Sequence, residues 1–194
     1  KHVTFPKTHF KDSKSSKEKA ENVIRMLTRL LFVWFLKEKK LIPNELFDLT
    51  ILNNKIIKKG LLFPETDKDK LFSDSHNKSV YYKAILQNLF FATLNCPINP
   101  EKDDERKRGF RKLKTYGQNR GVDYLMRYEE FFQDPEAFVA MLNKIVPFLN
   151  GGLFECLDDK DNNLYVDGFS DGMTQGNTLI VPDYLFFGTG TSID

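Results

Sequence analysis

The residues of this chain that best fit a specific chemistry form a basic segment near its middle. Seven positive charges occur there with no acidic residue among them, at Arg106, Lys107, Arg108, Arg111, Lys112, Lys114 and Arg120. Clustered arginine and lysine side chains bind nucleic-acid phosphates because each contact releases a counterion, and the interleaved Phe110 and Tyr116 are of the type that stacks on bases. We therefore predict that these seven basic residues contact nucleic acid. The alternative that stays open is a solvated loop with no nucleic-acid ligand.

An acidic run from Asp158 to Asn163 has the composition of a calcium-binding loop. Such a loop needs glycine at its sixth position and a bidentate glutamate at its twelfth. Counted from Asp159, those two positions hold Leu164 and Ser170. We therefore predict no calcium site in this run.

Two E-x-K spacings, Glu105 to Lys107 and Glu38 to Lys40, match part of a restriction-nuclease motif. In such nucleases the motif lies on a strand, where two carboxylates hold a divalent ion beside the scissile phosphate. Here one spacing falls in a charged loop and the other at a predicted helix end. The chain has three histidines, and each lies in a polar segment with no partner residue at the spacing of metal ligands. They are His2, His9 and His76. We predict no catalytic residue and no metal site in this chain.

A glycine pattern near the end of the chain, Phe186 to Gly190, reads F-x-G-x-G. Many methyltransferases use this pattern to bring the backbone close to S-adenosylmethionine. It needs a following helix and an acidic residue at the end of the next strand, and only four residues follow Gly190. We therefore expect a plain glycine turn and no cofactor site here.

The elements that must position the basic segment are mostly helices. Apolar residues at three- and four-residue steps predict a helix over residues 18–36, and its last turns are apolar on all sides, as in a helix that becomes fully buried. Arg29 falls within that apolar stretch, where we expect it to pair with a carboxylate. The three lysines that close this helix are Lys37, Lys39 and Lys40.

Further helices are predicted on both sides of the basic segment. One runs from Ser79, as its N-cap, to Leu94. Another begins at Asp134, which can accept the free amide protons of the first turn, and ends before Pro147. A helix or pair of turns is also expected over residues 122–132.

These elements predict a mainly α fold, an irregular helical bundle with a C-terminal portion rich in loops and short strands. We expect an extended arm at residues 1–18 and a helical domain at 19–150 with the basic loop at 101–120. Residues 151–194 are expected to form turns and a small hairpin that lead toward a missing catalytic domain. The chain begins with Lys1 and ends just after a glycine-rich stretch, so we interpret it as a piece of a larger protein.

Composition limits the classes of protein to which this chain can belong. A chain of 194 residues with 41% hydrophobic content can bury a core, and its longest apolar run, Leu30 to Leu36, is far shorter than the roughly 18 residues of a membrane span. Cys96 and Cys156 have neither C-x-x-C spacing nor a secretory signal near them, which predicts a cytoplasmic location, with a single disulfide as the alternative.

The net charge of +2 hides an uneven distribution along the chain. Residues 1–120 carry 26 lysines and arginines against 14 acidic residues, whereas residues 121–194 carry 3 against 13. One explanation is a surface that accepts polyanions. A contact between the basic and the acidic part of the molecule explains the same split equally well.

Three strings resemble one known family: RMLTRLLFVWFLKEKKLIPNELF at 25–47, RYEEFFQDPEAFVAMLNKIVPFLNGGLFE at 127–155 and VPDYLFFG at 181–188. Their order and wording resemble the helical region upstream of the catalytic domain in large single-chain bacterial DNA methyltransferases. These are the type IIG restriction-modification enzymes and their relatives in phage-exclusion systems. The resemblance covers most of the chain from about residue 20 onward, and PFLNGGLFE is its most specific part.

The resemblance implies a non-catalytic helical linker beside a Rossmann-like domain that uses S-adenosylmethionine to methylate adenine N6 in DNA. The catalytic Asn-Pro-Pro-aromatic motif of the family does not match here, because Asn99 and Pro100 are followed by Glu101. No catalytic residue of the family therefore carries over, and S-adenosylmethionine is expected for the parent protein only. The expected partners are double-stranded DNA and a flanking methyltransferase domain. A structural or protein-interaction module without nucleic-acid contact is the alternative function.

Overall fold

The computed structural model describes residues 3–6, 15–62, 79–99, 106–111, 124–149, 151–159, 166–169 and 179–187. These residues form an irregular arrangement of helices with isolated β-bridges and no sheet, which confirms the predicted mainly α class. Within these ranges, none of the helices combines the length and the apolar character that crossing a membrane requires.

Helix α1, Ser15–Glu38, begins inside the stretch predicted to be an extended arm. One side of it packs on the core through Met26, Val33 and Leu36. The opposite side carries five large apolar residues that are more than half exposed, namely Ile24, Leu27, Leu31, Trp34 and Phe35. The interpretation that its last turns are buried on all sides is therefore wrong, since the core covers only one face of α1.

Helix α1 ends in a left-handed residue, Lys40, whose φ is 59°. The N–H of Leu41 donates to the carbonyl of Leu36 at 2.9 Å, and the N–H of Lys40 donates to the carbonyl of Lys37 at 2.8 Å. These two bonds satisfy carbonyls that a helix end leaves open.

The centre of the molecule is a helix made of two π-helical segments, Tyr81–Gln87 and Phe90–Leu94, which we call the core helix. Every residue from 80 to 94 is buried except the half-buried Lys83. A helix enclosed in this way needs internal partners for its polar side chains. The Asn88 amide provides one such contact, because it accepts the N–H of Arg127 at 2.7 Å and donates to the Arg127 carbonyl at 2.8 Å.

The first amides of the core helix are capped by Asp183, about a hundred residues further along the chain. Its carboxylate accepts the N–H of Tyr81 at 2.8 Å and that of Val80 at 3.2 Å. Ser79, the predicted N-cap, instead accepts the N–H of Val181 through its hydroxyl at 3.0 Å. The predicted cap is therefore wrong, because a carboxylate from a distant segment occupies the helix start.

Helix α3, Pro135–Ile145, begins as its sequence predicts. The Asp134 carboxylate accepts the N–H of Ala137 at 2.9 Å, and proline occupies the first helical position. The remaining described helical elements are short: Asn44–Phe47, α2 at Leu49–Ile51 continuing as the π-helical turn Leu52–Ile56, Glu129–Phe131, Gly152–Phe154 and α4 at Tyr184–Phe187.

Aromatic rings join the C-terminal portion to the helices. The Phe154 ring lies 5.9 Å from that of Phe90, and the Phe169 ring lies 4.8 Å from that of Phe91, so both pack on the core helix. Offset and tilted ring pairs of this kind add to the stabilisation from apolar burial.

The N-terminal arm pairs with the C-terminal portion. Thr4 and Ile180 form an antiparallel bridge with two backbone hydrogen bonds of 2.8 Å. The short apolar runs on which a small hairpin was predicted are residues 153–156, 164–166 and 179–181. In the described part of these runs, Gly152–Phe154 forms a short helical turn and Ile180 pairs with Thr4, whereas residues 164 and 165 lie outside the described residues.

Candidate nucleic-acid interface

The basic segment is anchored at Arg108, which is only 5% exposed. Its guanidinium donates four hydrogen bonds of 2.8 to 3.1 Å to backbone carbonyls, those of Thr93, Cys96, Val146 and Pro147. Thr93 lies in the last turn of the core helix and Cys96 just beyond it, whereas Val146 and Pro147 lie just after α3. Carbonyls at a helix C-terminus lack partners and attract positive charge. Arg108 therefore ties two helix ends to the start of the basic segment.

Burial lowers the pKa of Arg108 to about 10, so the guanidinium remains charged at neutral pH. All of its hydrogen bonds end on carbonyls inside the molecule. The prediction that Arg108 contacts DNA is therefore corrected: its side chain lies in the interior and is bound to the protein itself. The sequence does not separate it from its neighbours, because all seven basic residues look alike in the run.

Phe110 also turns inward. Its ring lies 5.2 Å from that of Phe132 and 6.4 Å from that of Phe138, in an aromatic cluster at the base of α3. The suggestion that Phe110 stacks on a base is not supported, since its ring is part of this packing. Tyr116, the other aromatic residue of the segment, lies outside the described residues.

A short parallel bridge between Phe110 and Met126 closes the base of the segment. The N–H of Arg111 donates to the Met126 carbonyl at 3.1 Å, and the N–H of Met126 donates to the Gly109 carbonyl at 2.9 Å. The chain on either side of residues 112–123 is thus held together by backbone hydrogen bonds.

Of the remaining six basic residues, three belong to the described part of the chain and three do not. Lys107 is exposed, Arg111 is half-buried, and the half-buried Arg106 lies over the ring of Phe148 with 5.3 Å between its guanidinium carbon and the ring centroid. The predicted contacts that lie outside the described residues are Lys112, Lys114 and Arg120.

A second polar centre lies where α1 meets the C-terminal portion. Arg29 forms a buried ion pair with Asp167 and donates to the carbonyls of Leu153 and Glu155 at 2.8 and 2.9 Å. Its guanidinium carbon also lies 4.9 Å from the centroid of the Phe91 ring. The expectation that Arg29 pairs with a carboxylate is confirmed.

Asp158 organises the turn that carries Asp167. Its carboxylate accepts three backbone N–H groups, from Asp167 at 2.6 Å, Gly168 at 2.9 Å and Phe169 at 2.7 Å. Gly168 has a φ of 62°, and a Cβ there would lie 2.9 Å from the Cβ of Leu179, so the turn needs glycine at this position.

Cys156, Asp158 and Asp167 bring their ligand atoms within 4.8 Å of one another. Both carboxylates already bind backbone amides, and Asp167 also binds Arg29. The cluster is explained by these structural contacts. Asp161 and Asn163, which belong to the acidic run compared with a calcium loop, lie outside the described residues.

The other patterns weighed in the sequence have ordinary structural roles where they are described. Glu38 is the last residue of α1, so that E-x-K spacing is not on a strand. Phe186 and Phe187 belong to the helical turn α4, and both rings pack on Tyr81 at 4.9 and 4.7 Å. Cys96 and Cys156 do not form a disulfide with each other, so the alternative of a single disulfide does not hold.

Comparison of the chain with models of protein families, with curated proteins and with solved structures found no match. The function proposed below is therefore argued from the residues of this chain.

Proposed function

We propose that this chain is a non-catalytic helical part of a bacterial, S-adenosylmethionine-dependent DNA adenine-N6 methyltransferase of the type IIG restriction-modification class. In this proposal it works in the cytoplasm, positions flanking domains that include the methyltransferase domain, and contacts double-stranded DNA through the basic segment. Three strings of the sequence resemble that family, at 25–47, 127–155 and 181–188.

The observation that carries the DNA contact is the anchored base of the basic segment. Arg108 and the bridge between Phe110 and Met126 fix the described start of the segment, and the sequence has no acidic residue from 106 to 120. A rigid base lowers the entropy lost when the segment binds a phosphate backbone. With Arg108 bound internally, the contact is assigned to Arg106, Lys107, Arg111, Lys112, Lys114 and Arg120.

The residues that carry the resemblance also contact one another or the core helix. Arg29 from the first string binds carbonyls of the second, and Asp183 from the third string caps the core helix. Contacts of this kind fit a unit that holds neighbouring domains in a fixed relative position.

A second candidate function is a protein-interaction module whose basic segment docks on an acidic neighbour. The charge distribution favours it, because residues 121–194 carry 13 acidic residues against 3 basic ones. This module would have no affinity for nucleic acid.

Binding of a fluorescent DNA duplex to the 194-residue chain, followed by anisotropy, separates the two functions. We expect binding at about 50 mM salt that weakens steeply as salt increases. Reversing three charges with Lys107→Glu, Arg111→Glu and Lys114→Glu should lower the affinity at least about tenfold and reduce the salt dependence. Arg108 is left unchanged, because its loss would damage the fold.

The matched control reverses three exposed lysines of α1 and its C-terminal end, Lys19, Lys39 and Lys40, to glutamate. It changes the net charge by the same amount and should leave most of the DNA affinity intact. Undetectable binding of the unmodified chain, or an equal loss in both triple variants, would rule out the DNA contact and favour the protein-interaction module.

A further inference from the structure

Helix α1 carries an apolar strip on the side that faces away from the core. Its members, Ile24, Leu27, Leu31, Trp34 and Phe35, are 52 to 71% exposed, and we call them the α1 seam. Together they expose on the order of 600 Å², which is as large as the largest apolar patch on a typical monomer. A specific interface buries about 800 Å² on each partner. The seam therefore supplies most of one side of such an interface.

The spacing of the seam is that of a coiled coil. Ile24, Leu27, Leu31 and Trp34 alternate steps of three and four residues, which places them in the a and d positions of two heptads. Side chains in this pattern insert between those of a facing helix, so the partner that fits the seam is another helix.

Charged residues continue the same row at both ends of the seam. Lys17 lies seven residues before Ile24, and Glu38 lies seven residues after Leu31; both are exposed. The row thus begins with a positive charge, is apolar in its middle and ends with a negative charge.

We propose that the α1 seam binds α1 of a second copy of this chain in the antiparallel orientation. That orientation places Ile24 beside Trp34 of the second copy and Leu27 beside its Leu31. It also brings Lys17 within about one helical turn of Glu38 of the second copy at both ends. The apolar row is complementary to itself in size, and its end charges, Lys17 and Glu38, are opposite. Lys37 and Lys39 flank the row, with their ammonium groups over the rings of Trp34 and Phe35.

The alternatives match the seam less well. A parallel pair sets Lys17 against Lys17, Glu38 against Glu38 and Trp34 against Trp34, and it aligns the two helix dipoles unfavourably. An anionic membrane would meet the exposed carboxylates of Glu21 and Glu38 beside the seam. The antiparallel pair has neither conflict.

This inference is independent of the proposed DNA contact, because no residue of the basic segment lies on α1. Sedimentation velocity of the 194-residue chain should show a dimer at about 100 µM. Leu31→Glu should weaken dimerisation at least about 100-fold, because it places a charge in the middle of the interface. Leu31 is 71% exposed, so the variant should retain its helical circular dichroism. The control Leu185→Glu, on α4, should leave the dimer intact.

Charge exchange tests the orientation. Glu38→Lys should weaken the dimer, and adding Lys17→Glu to it should restore the dimer, which requires opposite charges to meet between copies. A monomer at every concentration, or a dimer that Leu31→Glu does not disturb, would overturn the proposal. Failure of the exchanged pair to restore dimerisation would overturn the antiparallel arrangement. Binding of a monomeric chain to anionic vesicles that Leu31→Glu abolishes would assign the seam to a membrane instead.

Discussion

Three charged side chains bind several backbone groups each, at helix ends or in turns: Arg108, Asp158 and Asp183. Arg108 binds four carbonyls, Asp158 binds three amides, and Asp183 binds two. Buried backbone groups without a partner are costly, so each of these side chains stabilises several segments at once. At the scale of single residues, the polar interior is organised by a few charged side chains.

Arg108→Met tests the structural role of this arginine. The variant keeps an apolar stem but removes the guanidinium that donates to four carbonyls, of which that of Thr93 keeps the N–H of Cys96. Each carbonyl left without a partner costs about 1–3 kcal/mol before relaxation. We expect the free energy of unfolding to fall by about 3–5 kcal/mol, measured by urea denaturation. Lys107→Met, at the exposed neighbouring position, should change it by no more than about 0.5 kcal/mol. Equal midpoints for the two variants would contradict the anchoring role.

Three of the described helix ends are closed in different ways. Helix α3 has a local cap in Asp134, the core helix has a distant cap in Asp183, and α1 ends in the left-handed residue Lys40. The left-handed conformation is strained for a residue with a Cβ and suits glycine. The end of α1 therefore carries strain that a substitution can relieve.

Lys40→Gly should raise the free energy of unfolding by about 0.5–1 kcal/mol, because glycine adopts a φ of 59° without steric cost. Lys39→Gly, one residue earlier, should lower it by a similar amount, because φ there is not positive and glycine adds only flexibility. Thermal or urea denaturation of the two variants should thus give shifts of opposite sign. A loss of stability in both would show that Lys40 is not strained.

On the scale of the whole molecule, the core helix is the element on which the others pack. Phe154 and Phe169 from the C-terminal portion contact its rings, and α4 contacts Tyr81. Tyr81 also donates through its hydroxyl to the Leu46 carbonyl at 2.9 Å. Unfolding of this centre must expose groups that the folded chain keeps away from water.

Alkaline pH should therefore destabilise the fold. Burial raises the pKa of Tyr81 and of Tyr82 above their ordinary value near 10, and for Tyr82 the charge of Asp167 adds to the effect. The folded chain keeps phenolic protons that the unfolded chain releases above about pH 10. Below that pH this contribution to stability is fully present. As pH rises further it is lost, and at pH 11 the free energy of unfolding is lower by about 1.4 kcal/mol per tyrosine.

Urea denaturation at a series of pH values checks this expectation. Tyr82→Phe keeps the ring and removes one titrating group, so its stability should decline less steeply above about pH 10 than that of the unmodified chain. Identical declines would show that the Tyr82 phenol ionises equally in the folded and unfolded states.

Several features could be predicted from local sequence alone. The mainly α class and helices α1 and α3 follow from apolar residues at helical spacing and from Asp134 followed by proline, since these patterns act within a few residues. The pairing of Arg29 with a carboxylate was also predictable, because a charge inside an apolar stretch needs a partner. The identity of that partner, Asp167, was not, as it lies 138 residues away.

Only the tertiary structure decided which of two similar residues is exposed and which is buried. Lys107 and Arg108 are neighbours in one basic run, yet one is exposed and the other binds the ends of two helices. Leu31 and Val33 are both apolar residues of α1, yet one is 71% exposed and the other 2%. The physical reason is the same in both cases. A pattern along the chain determines which residue types share a helix face or a charged run, whereas burial depends on which distant segments come to lie against them.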